Sequence, residues 1–510
     1  MLDLGRTFLQ SVERNPHALA LVDGALRLTY AEWAGRVGAV QQALTELGLK
    51  RGDHLLVVLQ NRWQMASLHW ACQFAGIVVT PLNWRAKADE MDYCLQDSGA
   101  KALVFESVAQ EAVNQSLLAK DVLRISVGQA VQSEHAKFDD WTSLAFTPKP
   151  SAKAEDLSLM LYTSGTTGKP KGVPRRQRTE RISALAHVAQ NQYAYGERTL
   201  GVMPLYHTMG VRSLLALAMV DGLFVCSPKF DADKALAAIA AEKLTHLYLV
   251  PTLYHELLAR PTFAQTDVSS IRKLGFAGAP MHDALLHRLQ AAFQPELFVN
   301  HYGSSEVYTC AINQNAVGKP GSAGRAGMNT RLRVIKLESA SPDAVAAPCE
   351  EGQILAELAG DEAFEGYHNR PDANAKSLKD GWYFTGDTGY FDAAGDLYVT
   401  GRVDDMIISG GENISPVDIE SVLSLHPAVD EVAVAGLRDE RWGQRVVAFI
   451  KTRRAMNANA DALDAHCRLS DMVNFKRPRE YVFVRDIPKS PVGKVLRRKL
   501  VAGEYETVAY

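Results

Sequence analysis

Hydrophobic and polar positions follow two periods along this chain. Short apolar runs occur at 55–59 (LLVVL), 76–79 (GIVV), 102–105 (ALVF), 222–225 (GLFV), 246–250 (HLYLV) and 296–299 (ELFV). Runs this short with apolar side chains on both faces predict strands buried on both sides, as in a parallel sheet. Helical patterns such as 232–242 (ADKALAAIAAE) separate some of them. The alternation predicts parallel βαβ units, whose ligands gather at the C-terminal ends of the strands. Unusual loops fall at those ends: TSGTTGKPK at 163–171, PLYHTMG at 204–210, GFAGAP at 275–280 and HYGSSE at 301–306. Convergence of these loops on one rim would make a single site.

The texture changes after Gly401. Charge and glycine follow in RVDD (402–405) and SGGEN (409–413), and a smaller α+β tail begins. Ser415-Pro416-Val417-Asp418 reads as a helix start, with serine as the cap, proline in the first turn and an acidic residue behind it. Strand patterns recur at 432–435, 446–451 and 481–484. A boundary near Asp404 divides an N-terminal domain, 1–403, from a C-terminal one, 404–510. A chain of 510 residues is also too long for one compact core.

Composition excludes more than it assigns. Hydrophobic residues at 47% and charged residues at 22% are ordinary for a folded globular protein. A net charge of −3 supplies no global field for nucleic acid. The most apolar run, 214–226, is broken by Asp221-Gly222 and is too short to span a bilayer, and the N-terminal residues lack a signal-type apolar core. Six cysteines are scattered at 72, 94, 226, 310, 349 and 467 without a CxxC pair. That pattern predicts reduced thiols in a cytoplasm rather than disulfides or a zinc site.

The chemistry lies in the loops. In 163–171, Gly165 and Gly168 let backbone N–H groups approach phosphate oxygens; Thr163, Ser164, Thr166 and Thr167 add hydroxyls, and Lys171 a cation. The loop lacks the GxxxxGK[ST] of a Walker motif. The segment WYFTGD (382–387) places Asp387 after a small turn, where a carboxylate suits a ribose diol, and Arg402 follows the strand pattern at 397–400. Taken singly, these are equally a turn aspartate and a surface arginine. Lys494, beyond Pro491 and Gly493, is either a solvated helix start or a point charge delivered to an α-phosphate.

Together, TSGTTGKPK, HYGSSE, YFTGDTG, GRVDDMIISGGENI and PKSPVGKVLRR occur in an order that resembles the adenylate-forming superfamily of acyl-CoA synthetases, peptide-synthetase adenylation domains and beetle luciferases. MPLYH, RWGQ, FKRP and KVLRR carry a closer likeness to bacterial aryl-CoA ligases of the 4-chlorobenzoate type. The resemblance spans nearly the whole chain. It implies an α/β fold: a large N-terminal domain of stacked βαβ-type sheets and a distorted barrel, with a small mobile α+β lid hinged at Asp404. It implies ATP, Mg²⁺ and CoA as co-substrates and metal, with an AMP-forming ligase reaction. Thr163, Ser164, Gly165, Thr166, Thr167, Gly168 and Lys171 would cradle phosphates, and Gly278, Ala279 and Pro280 would border adenine. Tyr302, Gly303, Ser304 and Ser305 would run along AMP, and Asp387 and Arg402 would hold the ribose. Glu306, with Thr167, would hold Mg²⁺, and Lys494, Glu306 and His207 form the implied catalytic set.

In the second step the lid would swing, bringing Gly410 and Gly411 to the path of the pantetheine arm. Arg85, Arg477 and Arg479, flanked by Trp442 and Phe475, match positions that meet the CoA phosphates. The implied acyl pocket is His207, Thr208, Met209, Leu249, Ala279, His301, Gly303, Tyr308 and Thr309. Its apolar and aromatic members suit a flat ring. His301 and Tyr308 stand where the chlorobenzoate pattern is apolar, which points away from a halogenated ring. The expected acid is a small aromatic or heteroaromatic one, or a short acid with a polar tail. The expected partners are that acid, ATP and CoA, with no nucleic acid and no membrane span, for a monomer or homodimer. A short- or medium-chain acyl-CoA synthetase, a loader of a carrier protein and a regulatory nucleotide-binding protein are the competing readings. An intact Lys494, Glu306 and Asp387 argue against the last.

Overall fold

The computed structural model describes residues 2–128, 135–142, 145–163, 170–453, 459–490 and 493–508. The strands read from apolar runs are there, each within a few residues: His54–Val58, Val78–Pro81, Ala102–Glu106, Leu223–Cys226, His246–Leu249 and Leu297–Tyr302. They fall into two sheets. A seven-stranded sheet runs, in spatial order, Ala136–Lys137, Leu123–Val127, Ala102–Glu106, His54–Val58, Val78–Pro81, Leu157–Thr163 and Lys171–Arg176. Its strands pair in parallel except for the last hairpin.

The larger sheet contains a second parallel core. His246–Leu249, Lys273–Ala277 and Leu297–Tyr302 pair in parallel, next to Arg198–Gly201 and Leu223–Cys226. Beyond Tyr302 the pairing turns antiparallel, through Ala311–Asn313, Ser322–Ala326, Leu397–Arg402, Trp382–Phe391, Gly352–Glu357 and Leu332–Lys336. Asp387 therefore does not follow a turn, as the sequence suggested; it sits inside the ten-residue strand Trp382–Phe391, whose register with its neighbour shifts between Thr388 and Gly389. A bulge of this kind re-aims side chains while the strand continues.

Both sheets and the helices Tyr30–Glu46, Trp63–Ala75, Gln177–Gln190 and Thr208–Met219 contribute to one large apolar core. The helix Ala232–Glu242 is capped by Asp231, as its pattern allowed. After Arg402 a separate five-stranded sheet forms, built only from Ile407–Ser409, Glu412–Ile414, Val429–Asp439, Gly443–Thr452 and Glu480–Phe483. Ser415 does precede the helix Pro416–Ser424, but its hydroxyl makes no helix cap; it donates instead to the Thr400 carbonyl, tying the small unit to the strand before it. The six cysteines are free, five of them buried. No helix among the described residues is long and apolar enough to cross a membrane.

Candidate active site

The rim at the C-terminal ends of the parallel strands collects the implicated side chains. The hairpin of Leu157–Thr163 and Lys171–Arg176 pairs Thr163 with Lys171, so the ends of the phosphate loop meet. Ser164, Gly165, Thr166, Thr167 and Gly168 lie outside the described residues. The Lys171 ammonium stands over the Tyr367 ring, 3.9 Å from its centroid. Burial lowers its pKa, against the pull of Glu306.

Tyr302, at the end of its strand, donates to Asp387 Oδ2 at 2.6 Å, and Arg402 donates to Asp387 Oδ1 at 2.8 Å. Burial works against the charge on Arg402, but Asp387, with Tyr383 and Tyr302, raises the pKa above the ordinary arginine value. The loop after Tyr302 closes on itself through Ser304 N to Val307 O (2.9 Å) and Cys310 N to Tyr302 O (2.9 Å). That closure buries Ser305 and Glu306. Ser305 Oγ lies 3.3 Å from Thr208 Oγ1, and Glu306 Oε1 accepts from the Tyr367 hydroxyl at 2.7 Å. Gly278, with φ of 83°, lies against Val250 and Met209, at the head of Ala279 and Pro280.

Lys494 arrives from the other unit. Its turn is held by Gly493 N to Ser490 O (2.9 Å), Ser490 N to Lys494 O (2.7 Å) and Lys494 N to Ser490 Oγ (3.1 Å). Gly493 has φ of 81°, and a Cβ there would stand 2.7 Å from Thr252 Oγ1; the turn needs glycine both for its backbone and to seat on the helix Pro251–Leu258. As a residue Lys494 is exposed. Its ammonium nevertheless lies deep enough that desolvation lowers its pKa, with Arg402 acting in the same direction and Asp387 and Glu306 opposing. His207 feels the same cation. Burial first, and Lys494 next, push its imidazole down to about 3, so it is neutral and accepts at Nδ1 from Met209 N at 3.4 Å. Lys494, Asp387, Glu306, Arg402 and His207 thus share one electrostatic neighbourhood.

The other implicated residues divide. Thr208, Met209, Leu249, His301, Tyr308 and Thr309 are buried, His207 and Ala279 partly so, and Gly303 is exposed. The Tyr308 hydroxyl donates to Glu180 Oε2 at 3.2 Å, with the Arg175 guanidinium 3.9 Å from its ring centroid. Gly410 N donates to Trp442 O at 2.8 Å, and Arg479 lies over the Trp442 ring at 5.2 Å. Gly411, Phe475 and Arg85 are exposed, Arg85 over Trp84 at 3.6 Å. Arg477 is tied to Asp464 by bonds of 2.7 and 2.8 Å.

Several residues at the site were not singled out from sequence. Tyr367 bridges Lys171 and Glu306, and nothing in GYHNRP marks it. Arg212 is buried in the helix Thr208–Met219, where it is the sole charged residue; that lone charge was the available signal. His187 and Asn191 stand one helical turn apart and meet His301 from below, a contact only the tertiary fold reveals.

Comparison with known proteins assigns the class. Residues 8–368 match the AMP-binding enzyme family, and 418–494 match the AMP-binding enzyme C-terminal domain. A 4-chlorobenzoate–CoA ligase of Arthrobacter sp. is 33% identical over 496 residues, 96% of this chain and 93% of the relative. A long-chain-fatty-acid–CoA ligase of Mycobacterium tuberculosis is 30% identical over 508 residues, 98% of each. An anthranilate CoA ligase solved with anthranoyl-AMP superposes with a TM-score of 0.91 at 25% identity, covering 98% of this chain and 97% of that one. The chain belongs to the AMP-binding enzyme family. Within that family it is an AMP-forming acid–CoA ligase, which adenylates a carboxylic acid and then makes its thioester.

Proposed function

We propose that the acid is a small aromatic or heteroaromatic carboxylate, and that the acceptor is free CoA in the cytoplasm. The observation that carries the catalytic assignment is the shared neighbourhood of Lys494, Asp387, Glu306 and Arg402. The acid's carboxylate attacks the α-phosphorus of ATP, pyrophosphate leaves, and an acyl-AMP remains. The chain supplies no covalent intermediate in this step; it positions the reactants and stabilises charge.

Each residue then has a task. Lys171 and the 163–168 loop hold phosphates, Asp387 accepts ribose hydroxyls with Arg402 fixing its carboxylate, and Gly278 to Pro280 border the base. Lys494 meets the charge that develops at the α-phosphate. His207, neutral, shapes the mouth of the acyl pocket without adding charge. Among the described residues no cluster of three or more His, Cys, Asp or Glu side chains could cage a metal. One buried carboxylate, Glu306, fits Mg²⁺ held largely by nucleotide phosphates. Bound there, Mg²⁺ would neutralise phosphate charge; Glu306, oriented by Tyr367, is the side chain to hold it.

Aromatic and apolar side chains at Tyr248, Leu249 and Met209 support a flat ring. Free CoA is supported by exposed arginines beside aromatic rings, Arg85 on Trp84 and Arg479 on Trp442. Arg477 already has its carboxylate partner, so the cationic mouth rests mainly on the other two. The test is ATP- and CoA-dependent AMP release across benzoate, hydroxybenzoates, furoate, cinnamates, malonate and fatty acids of increasing length. Preference for small rings is expected. Preference for flexible chains overturns the ring, and pyrophosphate release without CoA consumption replaces free CoA with a carrier protein.

A further inference from the structure

His301, one of the residues that the resemblance implies for the acyl pocket, heads a row of buried polar side chains linked end to end. His301 Nε2 meets Asn191 Oδ1 at 3.1 Å. Asn191 Nδ2 meets His187 Nδ1 at 3.1 Å and the His187 carbonyl at 2.8 Å. His187 Nε2 meets the Tyr193 hydroxyl at 3.1 Å, which meets His246 Nε2 at 2.5 Å. A carbonyl can only accept, so it fixes the Asn191 amide with its nitrogen toward His187 and its oxygen toward His301. His301 must therefore carry its proton on Nε2. Desolvation, with Arg212 adding to it, keeps the His301 imidazole neutral, so Nδ1 presents a lone pair. That atom is buried and unpaired among the described residues.

A second bare atom lies close by. Arg212, 2% exposed, donates from one nitrogen to Tyr308 O (3.1 Å) and Thr309 Oγ1 (2.7 Å), and from another to the Tyr248 hydroxyl, but its Nε–H has no partner. Both groups flank Tyr248: the His301 ring centroid is 5.2 Å from it, and the Arg212 guanidinium carbon 5.5 Å. The floor is a built one. Gly275 has no side chain where a Cβ would come within 2.9 Å of Tyr248 Cδ2 and 3.5 Å of Asn191 Oδ1.

An acceptor and a donor, both buried and without a partner among the described residues, thus flank Tyr248. We propose that the acid carries a neutral hydrogen-bond donor at its far end, a hydroxyl or ring N–H, which donates to His301 Nδ1. A hydroxyl also accepts from Arg212 Nε–H. His301 is then a specificity-determining residue. This rests on the acid–CoA ligase reading. A second carboxylate fits less well, because it would oppose the His301 lone pair. Arg212 also already shares the field of Glu180 and Glu362 with Arg175, so it brings no spare charge. An unsubstituted or halogenated ring leaves Nδ1 bare, and a site built to pair a donor rejects analogues without one.

The experiment compares matched acids, benzoate with the three hydroxybenzoates and furan-2-carboxylate with pyrrole-2-carboxylate. It reads kcat/KM for AMP release and, independently of catalysis, the binding of the same acids by calorimetry. At least one donor-bearing acid of a pair is expected to exceed its bare counterpart about tenfold or more in both readouts. His301→Leu should bring the pair within about threefold, chiefly by lowering the donor acid, while His301→Gln, which keeps a polar tip, retains part of the preference. Equal use of the paired acids, or a preference for malonate or fatty acids, overturns the proposal while leaving the ligase reading intact. Selective binding of donor acids without AMP release would do the reverse.

Discussion

Removing Lys494 is expected to separate the two half-reactions. The residue lies on a turn from the C-terminal unit, yet its ammonium is influenced by Asp387, Arg402 and Glu306 of the N-terminal one. A cation placed where negative charge grows stabilises the transition state more than the ground state. Lys494→Ala is expected to reduce acid-dependent ATP–pyrophosphate exchange by on the order of 10²–10³ or more, the scale of losing one preorganised charge-stabilising group. Thioester formation from supplied acyl-AMP should persist, since the family resemblance places Lys494 away from that step. Equal loss of both would remove the assignment. This residue was legible in the sequence because glycine, proline and lysine mark a turn within seven positions. Arg212 was legible only as an oddity, a charge in an apolar helix, because what it touches belongs to strands and loops at 248 and 308–309.

At the scale of elements, periodicity recovered what burial on two faces dictates. The parallel strands and the helix 232–242 were readable since continuous apolar runs have few other solutions. Of the antiparallel half, only Leu397–Arg402 was readable, as the strand pattern at 397–400. Ser322–Ala326, Leu332–Lys336 and Trp382–Phe391 mix exposed, glycine and polar positions, and their partners lie up to several dozen residues away. Asp387 was singled out as a candidate but placed on a turn, because Gly386 with φ of 75° punctuates the strand as it would a turn. The Ser490–Lys494 turn has the opposite character: local sequence dictates it, and its seat on Thr252 is tertiary. Gly493→Ala puts a methyl against Thr252 Oγ1 and forces a left-handed backbone on alanine, a strain of about 1–2 kcal/mol before any clash. Pyrophosphate exchange is expected to fall roughly tenfold or more, with thioester formation from acyl-AMP spared. Thr252→Ala in the same chain should restore the clash share but not the backbone share, and no restoration at all would mean that Thr252 is not what the turn seats on.

At the scale of the molecule, two polar ties between the units stand out among the described residues. Ser415 donates to the Thr400 carbonyl, and His255 on the helix Pro251–Leu258 pairs with Asp430 at 3.1 Å. The His255 bond holds the Asp430 carboxyl below its usual range. Both partners are partly exposed, at 26% and 22% of their side chains, so the pair contributes at most about 1 kcal/mol. That small scale suits the lid swing that the family resemblance implies after adenylation: a stronger clamp would hold Lys494 in place and slow the second step. Asp430→Asn removes the charge but not the shape. It is expected to lower ATP–pyrophosphate exchange up to about fivefold by depopulating the arrangement that seats Lys494. Thioester formation from supplied acyl-AMP should be unchanged or faster. A loss in both half-reactions would instead identify Asp430 as a folding determinant, and thermal unfolding of the variant distinguishes that case, because a residue acting only on the equilibrium between arrangements leaves Tm nearly where it was.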